Sequence, residues 1–125
     1  MPLTRIVLVV EDADLCRDTL EVALTKLPNL TVQSVTTAEE ALAWLDTNDV
    51  CALVTDLHLP SMNGFELIEE VRRRPQKSSL PILVVSGDSD PQIPTQVAHL
   101  GANAFFPKPF SPAAIRHTLE QLIDA

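Results

Sequence analysis

The sequence predicts an α/β protein, a single domain over residues 1–125 built on a five-stranded parallel sheet with helices on both faces. Three observations carry that expectation. Five short β-type runs alternate with five amphipathic segments, and such alternation packs as a parallel sheet with right-handed crossovers. Three of the runs are continuously apolar rather than alternating, as in central strands covered on both sides. A chain of 125 residues, 46% apolar and 21% charged, has the balance of a globular protein and the length of one domain.

The first run, Arg5 to Val10, is almost entirely β-branched or Leu. Leu20, Ala23, Leu24 and Leu27 then fall at i, i+3, i+4 and i+7, which predicts the first helix. The second run, Leu30 to Val35, interleaves Thr31 and Gln33 with Val32 and Val35, suiting a more exposed strand. Thr37 and Glu40 read as a capping box opening the second helix, whose stripe is Ala38, Ala41, Leu42 and Leu45. The third run is Cys51 to Thr55, and the helix after it carries Gly64, Leu67, Ile68 and Val71. That helix ends in Arg72-Arg73-Arg74 before Pro75. Cations there complement the negative end of a helix dipole, which accounts for them without a nucleic-acid patch. The fourth run is Pro81 to Val85. In the following segment Pro94 lacks the N–H that would bond the Asp90 carbonyl. The fourth helix is therefore expected to begin late, near Pro94, or to have a loose first turn, anchored by Ile93, Val97 and Leu100. The fifth run, Ala104 to Phe106, is weak, and Pro107 at its end fits an edge strand. The last helix opens with Ser111 as N-cap and Pro112 at its first position, and buries Ile115, Leu119, Leu122 and Ile123.

Seventeen acidic against nine basic side chains give a formal charge of −8. No basic face is left to displace counterions from phosphates, which argues against direct nucleic-acid contact. The longest apolar runs, such as Ile6 to Val10, fall far short of the roughly 20 residues that span a bilayer. Met1 to Arg5 shows no signal pattern, so no membrane association and a cytoplasmic location are expected. Cys16 and Cys51 form no C-x-x-C pair and are expected to be buried, reduced thiols. His58, His99 and His117 lack zinc-ligand spacing.

In a parallel sheet of this kind ligands bind beyond the carboxyl ends of the strands, where strand order reverses. Glu11-Asp12, with Asp14 close behind, follow the first run, and Asp56 ends the third. Ser86-Gly87-Asp88 follow the fourth, and Pro107-Lys108-Pro109 the fifth. If the first, third and fourth strands are neighbours, Glu11, Asp12 and Asp56 converge on one small volume. Three carboxylates together repel unless a cation neutralises them. A hard divalent ion with oxygen ligands, Mg²⁺ by preference, is the natural counterion. Lys108 adds an ammonium and Ser86 a hydroxyl, so the set would hold a tetrahedral dianion, as phosphoryl transfer to a carboxylate requires. Asp56, alone at the end of a central strand, is the candidate nucleophile. Singly, each residue has an ordinary reading as a cap, a turn residue or a surface charge. The inference rests on all of them falling at successive strand ends.

The stretch Asp56-Leu57-His58-Leu59-Pro60-Ser61-Met62-Asn63-Gly64 has the form D-x-x-x-P-x-M-x-G. With the acidic pair before it and Ser86, Phe105 and Lys108-Pro109-Phe110 after it, the chain resembles the receiver domains of two-component response regulators over essentially its full length. The resemblance implies a (βα)₅ flavodoxin-like, doubly wound sheet in strand order 2-1-3-4-5. It also implies a CheY-like switch rather than a metabolic enzyme, with only self-phosphorylation and slow autodephosphorylation activity. Asp12 and Asp56 would bind Mg²⁺ directly, Glu11 through water, and the backbone carbonyl of His58 would complete the protein ligands. Asp56 would accept a phosphoryl group from a sensor histidine kinase or a histidine phosphotransfer protein. Ser86 and Lys108 would contact its oxygens, with Lys108-Pro109 cis so that the ammonium aims into the site. Ser86 would move toward the phosphoryl group and Phe105 would turn inward, biasing an existing equilibrium. Output to an unidentified protein or domain would run through the fourth helix, fifth strand and fifth helix.

Some positions depart from the family's commonest pattern. Gly87 stands where a small residue such as Ala is usual, and Phe105 where Tyr is frequent, so its inward state gains burial but no hydroxyl bond. His58 and Asp88, each two residues beyond a key site residue, lie where they would influence hydrolytic water, although His58 also reads as a solvated imidazole. The fourth helix carries only His99 among ionisable residues, so it does not supply the charged pairs of a salt-bridged dimer. Three alternatives stay open. They are an aspartate-nucleophile phosphohydrolase, a flavodoxin-like cofactor binder, whose phosphate would meet Glu11-Asp12, and a degenerate receiver acting as a constitutive interaction module. The chain stops directly after the last helix, which fits either a stand-alone receiver or part of a longer regulator.

Overall fold

In the computed structural model the apolar runs become β1 (Arg5–Val10), β2 (Leu30–Val35), β3 (Ala52–Thr55), β4 (Ile82–Ser86) and β5 (Ala104–Pro107). Between and after them lie α1 (Asp14–Leu24), α2 (Ala38–Thr47), α3 (Gly64–Arg73), α4 (Ile93–Leu100) and α5 (Pro112–Ile123), with a short 3₁₀ turn at Pro75–Lys77. The structure describes residues 5–123; Met1 to Thr4, part of the segment read for a signal, and Asp124-Ala125 at the chain's end lie outside the described residues. All strand pairs are parallel, and the sheet order is β2-β1-β3-β4-β5. The expected doubly wound flavodoxin-like architecture is therefore present.

The burial follows from the period of two along a strand. Leu8, Val10, Leu53, Ile82 and Val84 face one side, packed with Ala38, Ala41 and Leu45 of α2, Leu67, Ile68 and Val71 of α3, and Ile93 and Val97 of α4. Val7, Val9, Ala52, Val54, Leu83 and Val85 face the other, packed with Leu20 and Leu24 of α1 and Ile115 and Leu119 of α5. The three continuously apolar runs are the three interior strands, and the alternating β2 is an edge strand with mostly half-buried residues. Among the described residues no buried side-chain nitrogen or oxygen lacks a hydrogen-bond partner.

Several local expectations shift by a residue or a partner. Cys51 precedes β3, and Pro81 precedes β4, while Ser86 joins the end of β4 in register with Pro107. Both cysteines are free but only half-buried. Thr37 accepts the Glu40 N–H at 3.1 Å, but Glu40 Oε1 takes the hydroxyls of Thr36 and Thr37 rather than a backbone N–H. The capping box there is half made. A complete one opens α3 instead, where Asn63 and Glu66 each bond the other's backbone. Ser111 caps α5 as expected, accepting the Ala114 N–H at 3.2 Å.

Helix α4 begins at Ile93, so Pro94 falls in its first turn, where N–H groups lack intrahelical partners anyway. The Asp90 carbonyl takes the Ile93 N–H at 3.1 Å, and Gln92 caps the helix without a side-chain bond. The far end is secured: Gly101, at φ 111°, adopts the left-handed conformation that stops α4. Native-state hydrogen exchange should find the amides between residues 90 and 96 exchanging at least about a hundredfold faster than those of Leu83 to Val85. Uniformly slow exchange across both segments would contradict this account of the helix start.

Candidate functional site

The sheet order reverses between β1 and β3, since β2 lies on one side of β1 and β3 on the other. In register, Val10 stands beside Thr55, and the Asp56 N–H donates to the Val10 carbonyl at 3.1 Å. The next residues, Glu11 and Asp56, therefore emerge side by side in the crevice, with Asp12 one position on. Carboxylate oxygens of Glu11, Asp12 and Asp56 all lie within 4.8 Å of one another. Glu11 and Asp56 are buried and Asp12 is exposed.

Lys108 closes the group from the other side. It follows β5, its N–H donates to the Ser86 carbonyl at 2.8 Å, and Lys108-Pro109 is cis. Its ammonium donates to Glu11 Oε1 at 2.7 Å and to Asp56 Oδ2 at 2.9 Å. Burial opposes the lysine charge, but bonds to Glu11 and Asp56 and their negative charges outweigh it, and hold the ammonium above the ordinary lysine range. While its carboxylate partners are charged, a raised lysine stabilises the folded state in full below the ordinary lysine value, and that contribution is lost as pH rises from there through the shifted value. At neutral pH the bridge is fully formed.

The second carboxylate oxygens of Glu11 and Asp56 are also engaged. Asp56 Oδ1 accepts the Leu57 N–H at 2.6 Å and, at 3.3 Å, the His58 N–H. Glu11 Oε2 accepts the Ala13 N–H at 3.2 Å, and the Arg17 guanidinium donates to the Glu11 carbonyl at 3.1 Å. One ammonium against three carboxylates leaves a formal excess of two negative charges. That excess, and a donor set made wholly of hard oxygens, fit a divalent cation such as Mg²⁺.

Gly64 shows why the loop after Asp56 has its composition. A Cβ at Gly64 would stand 2.3 Å from the Asp56 carbonyl oxygen and 2.7 Å from the Leu57 Cα. The Gly64 N–H donates to the Leu57 carbonyl at 2.8 Å, so α3 starts directly against the backbone that presents Asp56.

The other expected residues stand near but apart. Ser86 is buried, yet its Oγ accepts the N–H of Asp88, at 3.1 Å, on its own loop. Phe105 is half-buried against the core shared with α4. His58 is mostly exposed, and its Nε2 lies 3.0 Å from Asp88 Oδ2. Asp88 is held below the usual carboxylate range by the Asp90 N–H and then by His58. Several contacts went unread in the sequence. Lys108 pairs with Glu11 as well as Asp56, a contact between residues 97 positions apart. Arg72, read as a dipole cation, donates to the carbonyls of Gly101 (2.6 and 3.1 Å) and Lys77 (2.9 Å), and to Asn103 Oδ1 at 3.2 Å. Arg74 likewise forks onto Asp46 of α2. An N-x-x-E spacing ahead of an apolar stripe would have revealed the Asn63 box; nothing local marks the arginine contacts.

Known proteins are similar to this chain in sequence and fold. The family model of the response regulator receiver domain matches residues 7–120. A chemotaxis protein CheY homolog of Campylobacter jejuni is 32% identical over 117 residues, covering 93% of this chain and 90% of the relative. Two-component response regulator ORR13 of Oryza sativa subsp. japonica is also 32% identical over 117 residues, covering 93% and 96%. Among solved structures, a putative response regulator from Chloroflexus aurantiacus superposes with a TM-score of 0.90 at 29% identity, over 97% of this chain and 98% of that one. The chemotaxis response regulator CheY4 of Vibrio cholerae gives 0.85 at 27% identity, over 95% and 98%.

Two outcomes follow from the geometry. Gly64→Ala should push the Asp56-Leu57 backbone aside and lower unfolding free energy by about 1–3 kcal/mol in denaturant titrations; an unchanged midpoint would refute the close approach. Cys16 is pushed up to about 12 by burial, then by the hydrogen bond and charge of Glu11, with Lys108 opposing. At pH 8 its alkylation by iodoacetamide should run on the order of a thousandfold slower than that of an ordinary thiol.

Proposed function

The chain belongs to the response regulator receiver domain family of two-component signalling, and from that premise we propose that it is a switch whose phospho-acceptor is Asp56. The single observation that carries the reading is the ion-pair cluster: a nearly buried Asp56 with one oxygen on Lys108 and the other on backbone N–H groups. An oxygen of Asp56 attacks the phosphorus of a phosphohistidine, the O–P bond forms, and the P–N bond breaks with its electrons leaving on the donor imidazole. Asp12, Asp56 and the His58 carbonyl would hold Mg²⁺, with Glu11 acting through water, and the ion when bound supplies neutralisation of the phosphoryl oxygens. Lys108 keeps its proton throughout and turns its donors from the carboxylates to the new phosphoryl oxygens. Ser86 exchanges the Asp88 N–H for a phosphoryl oxygen, and Phe105 turns into the space released.

The donor is a sensor histidine kinase or a histidine phosphotransfer protein. Leu15 and Val22, one face of α1 and 80% and 62% exposed, offer apolar surface on the helix that opens just after Glu11-Asp12. Output runs through α4, β5 and α5 to a partner protein or domain, without direct nucleic-acid contact. The chain acts as one receiver domain over residues 1–125, in the cytoplasm; among the described residues no helix is long and apolar enough to cross a membrane. The phosphohydrolase reading needs a second acid two residues after the nucleophile, and His58 occupies that position, paired with Asp88.

Incubation with a small phosphodonor and Mg²⁺ should give a single phosphoryl adduct by intact mass. The adduct should vanish in Asp56→Asn and on chelation of the metal, and fall severalfold in Asp12→Ala. An adduct that persists in Asp56→Asn would sink the assignment.

A further inference from the structure

The loop after β4 is tied down at three points, all through Asp88. Its N–H donates to Ser86 Oγ at 3.1 Å. Its Oδ1 accepts the Asp90 N–H at 2.9 Å, and Asp90 Oδ1 in turn accepts the Gln92 N–H at 2.9 Å, leading into α4. Its Oδ2 lies 3.0 Å from His58 Nε2, across a sequence separation of 30 residues. The His58 end of that bridge sits on the backbone that cradles the acceptor, since the His58 N–H reaches Asp56 Oδ1. The Asp88 end sits on the segment that must shift before the Ser86 hydroxyl leaves its present donor. Gly87, between Ser86 and Asp88, adds little stiffness of its own: the nearest atom to an added Cβ would be Lys108 Cδ at 3.9 Å, so a side chain would fit there and none is present. Restraint of this loop therefore comes from the side-chain bridge rather than from local backbone packing.

We propose that the His58–Asp88 contact is a latch that holds the Ser86 loop in its resting position and sets the resting bias of the switch. The latch rests on the acceptor reading above and deepens it. It concerns the equilibrium before phosphorylation, and is separate from any effect of the same side chains on hydrolytic water. Opening it costs the contact, so every ligand that requires Ser86 at the acceptor binds more weakly by that factor. A partly exposed side-chain contact of this kind commands about a two- to fivefold effect.

The test is a double-mutant cycle read by beryllofluoride, a phosphoryl mimic, titrated in the presence of Mg²⁺. His58→Ala and Asp88→Ala should each tighten binding by at least about two- to fivefold, and the double variant should gain no more than Asp88→Ala alone. Asp88→Ala also removes a negative charge, which alone would tighten anion binding equally in both backgrounds. Additive gains would therefore overturn the latch in favour of simple field effects, and so would no gain from His58→Ala. A second readout is taken on the variants without metal or mimic bound. Referenced to the mimic-bound spectrum of the unsubstituted chain, the amide resonances of Gly87 and Ser86 in each single variant should already move toward the bound positions, and unmoved resonances would count against the latch. Failure of the unsubstituted chain to bind beryllofluoride at all would instead overturn the acceptor reading, and the latch with it. Both side chains are on the surface, so unchanged thermal melts should confirm that the variants are folded.

Discussion

The bridge from Lys108 to Glu11 and Asp56 is the interaction on which the rest of the site depends. It joins residues that follow β1, β3 and β5, and so spans the sheet at the carboxyl ends of its strands. Two buried carboxylates side by side would force each other's protonation or push the loops apart. A single ammonium with one bond to each offsets part of that repulsion, and leaves the uncompensated formal charge that a divalent ion fits. Removing one partner of such a buried group commonly costs several kcal/mol because the other charges remain unpaired. The arrangement is thus a poor way to gain stability and an effective way to hold carboxylates from two loops against one ammonium.

Much of the architecture was legible because it depends on patterns with a short range. Continuous apolar runs marked β1, β3 and β4 as interior, and the alternation of Leu30 to Val35 marked an edge. Strand ends then located Glu11, Asp12, Asp56, Ser86 and Lys108 without any knowledge of distances. What escaped was the choice among partners. Glu40 had a backbone N–H and two hydroxyls within reach and took the hydroxyls. Arg72 had a dipole argument in its favour, but its carbonyl partners are on Lys77 and Gly101, the latter brought close only by the packing of α3 against α4. Cys16 looked like an ordinary core thiol, and its pattern gave no sign of the Glu11 carboxylate beside it.

The same limit applies to the loop residues. His58 and Asp88 could be placed at the mouth of the site from their offsets to Asp56 and Ser86. That they meet each other follows from the adjacency of β3 and β4, which carries both loops to the same edge. A pair of positions that look independent in the sequence is one mechanical element in the fold.

The two ends of α4 are unequal in a way that gives the helix a direction of action. Its C-terminal end is bolted to α3, where the Arg72 guanidinium takes the Gly101 carbonyl in a forked grip and Asn103 ties the same guanidinium to the Ile82 N–H. Its N-terminal end has no side-chain cap and continues straight from the loop that Ser86 would pull. A rod fixed at one end and tugged at the other does not translate; it swings. In the proposed switch Arg72 would then be the fulcrum of a lever. A small shift at the Ser86 loop would reach a docked partner as a change of angle, greatest at the helix's first turn and vanishing near Gly101.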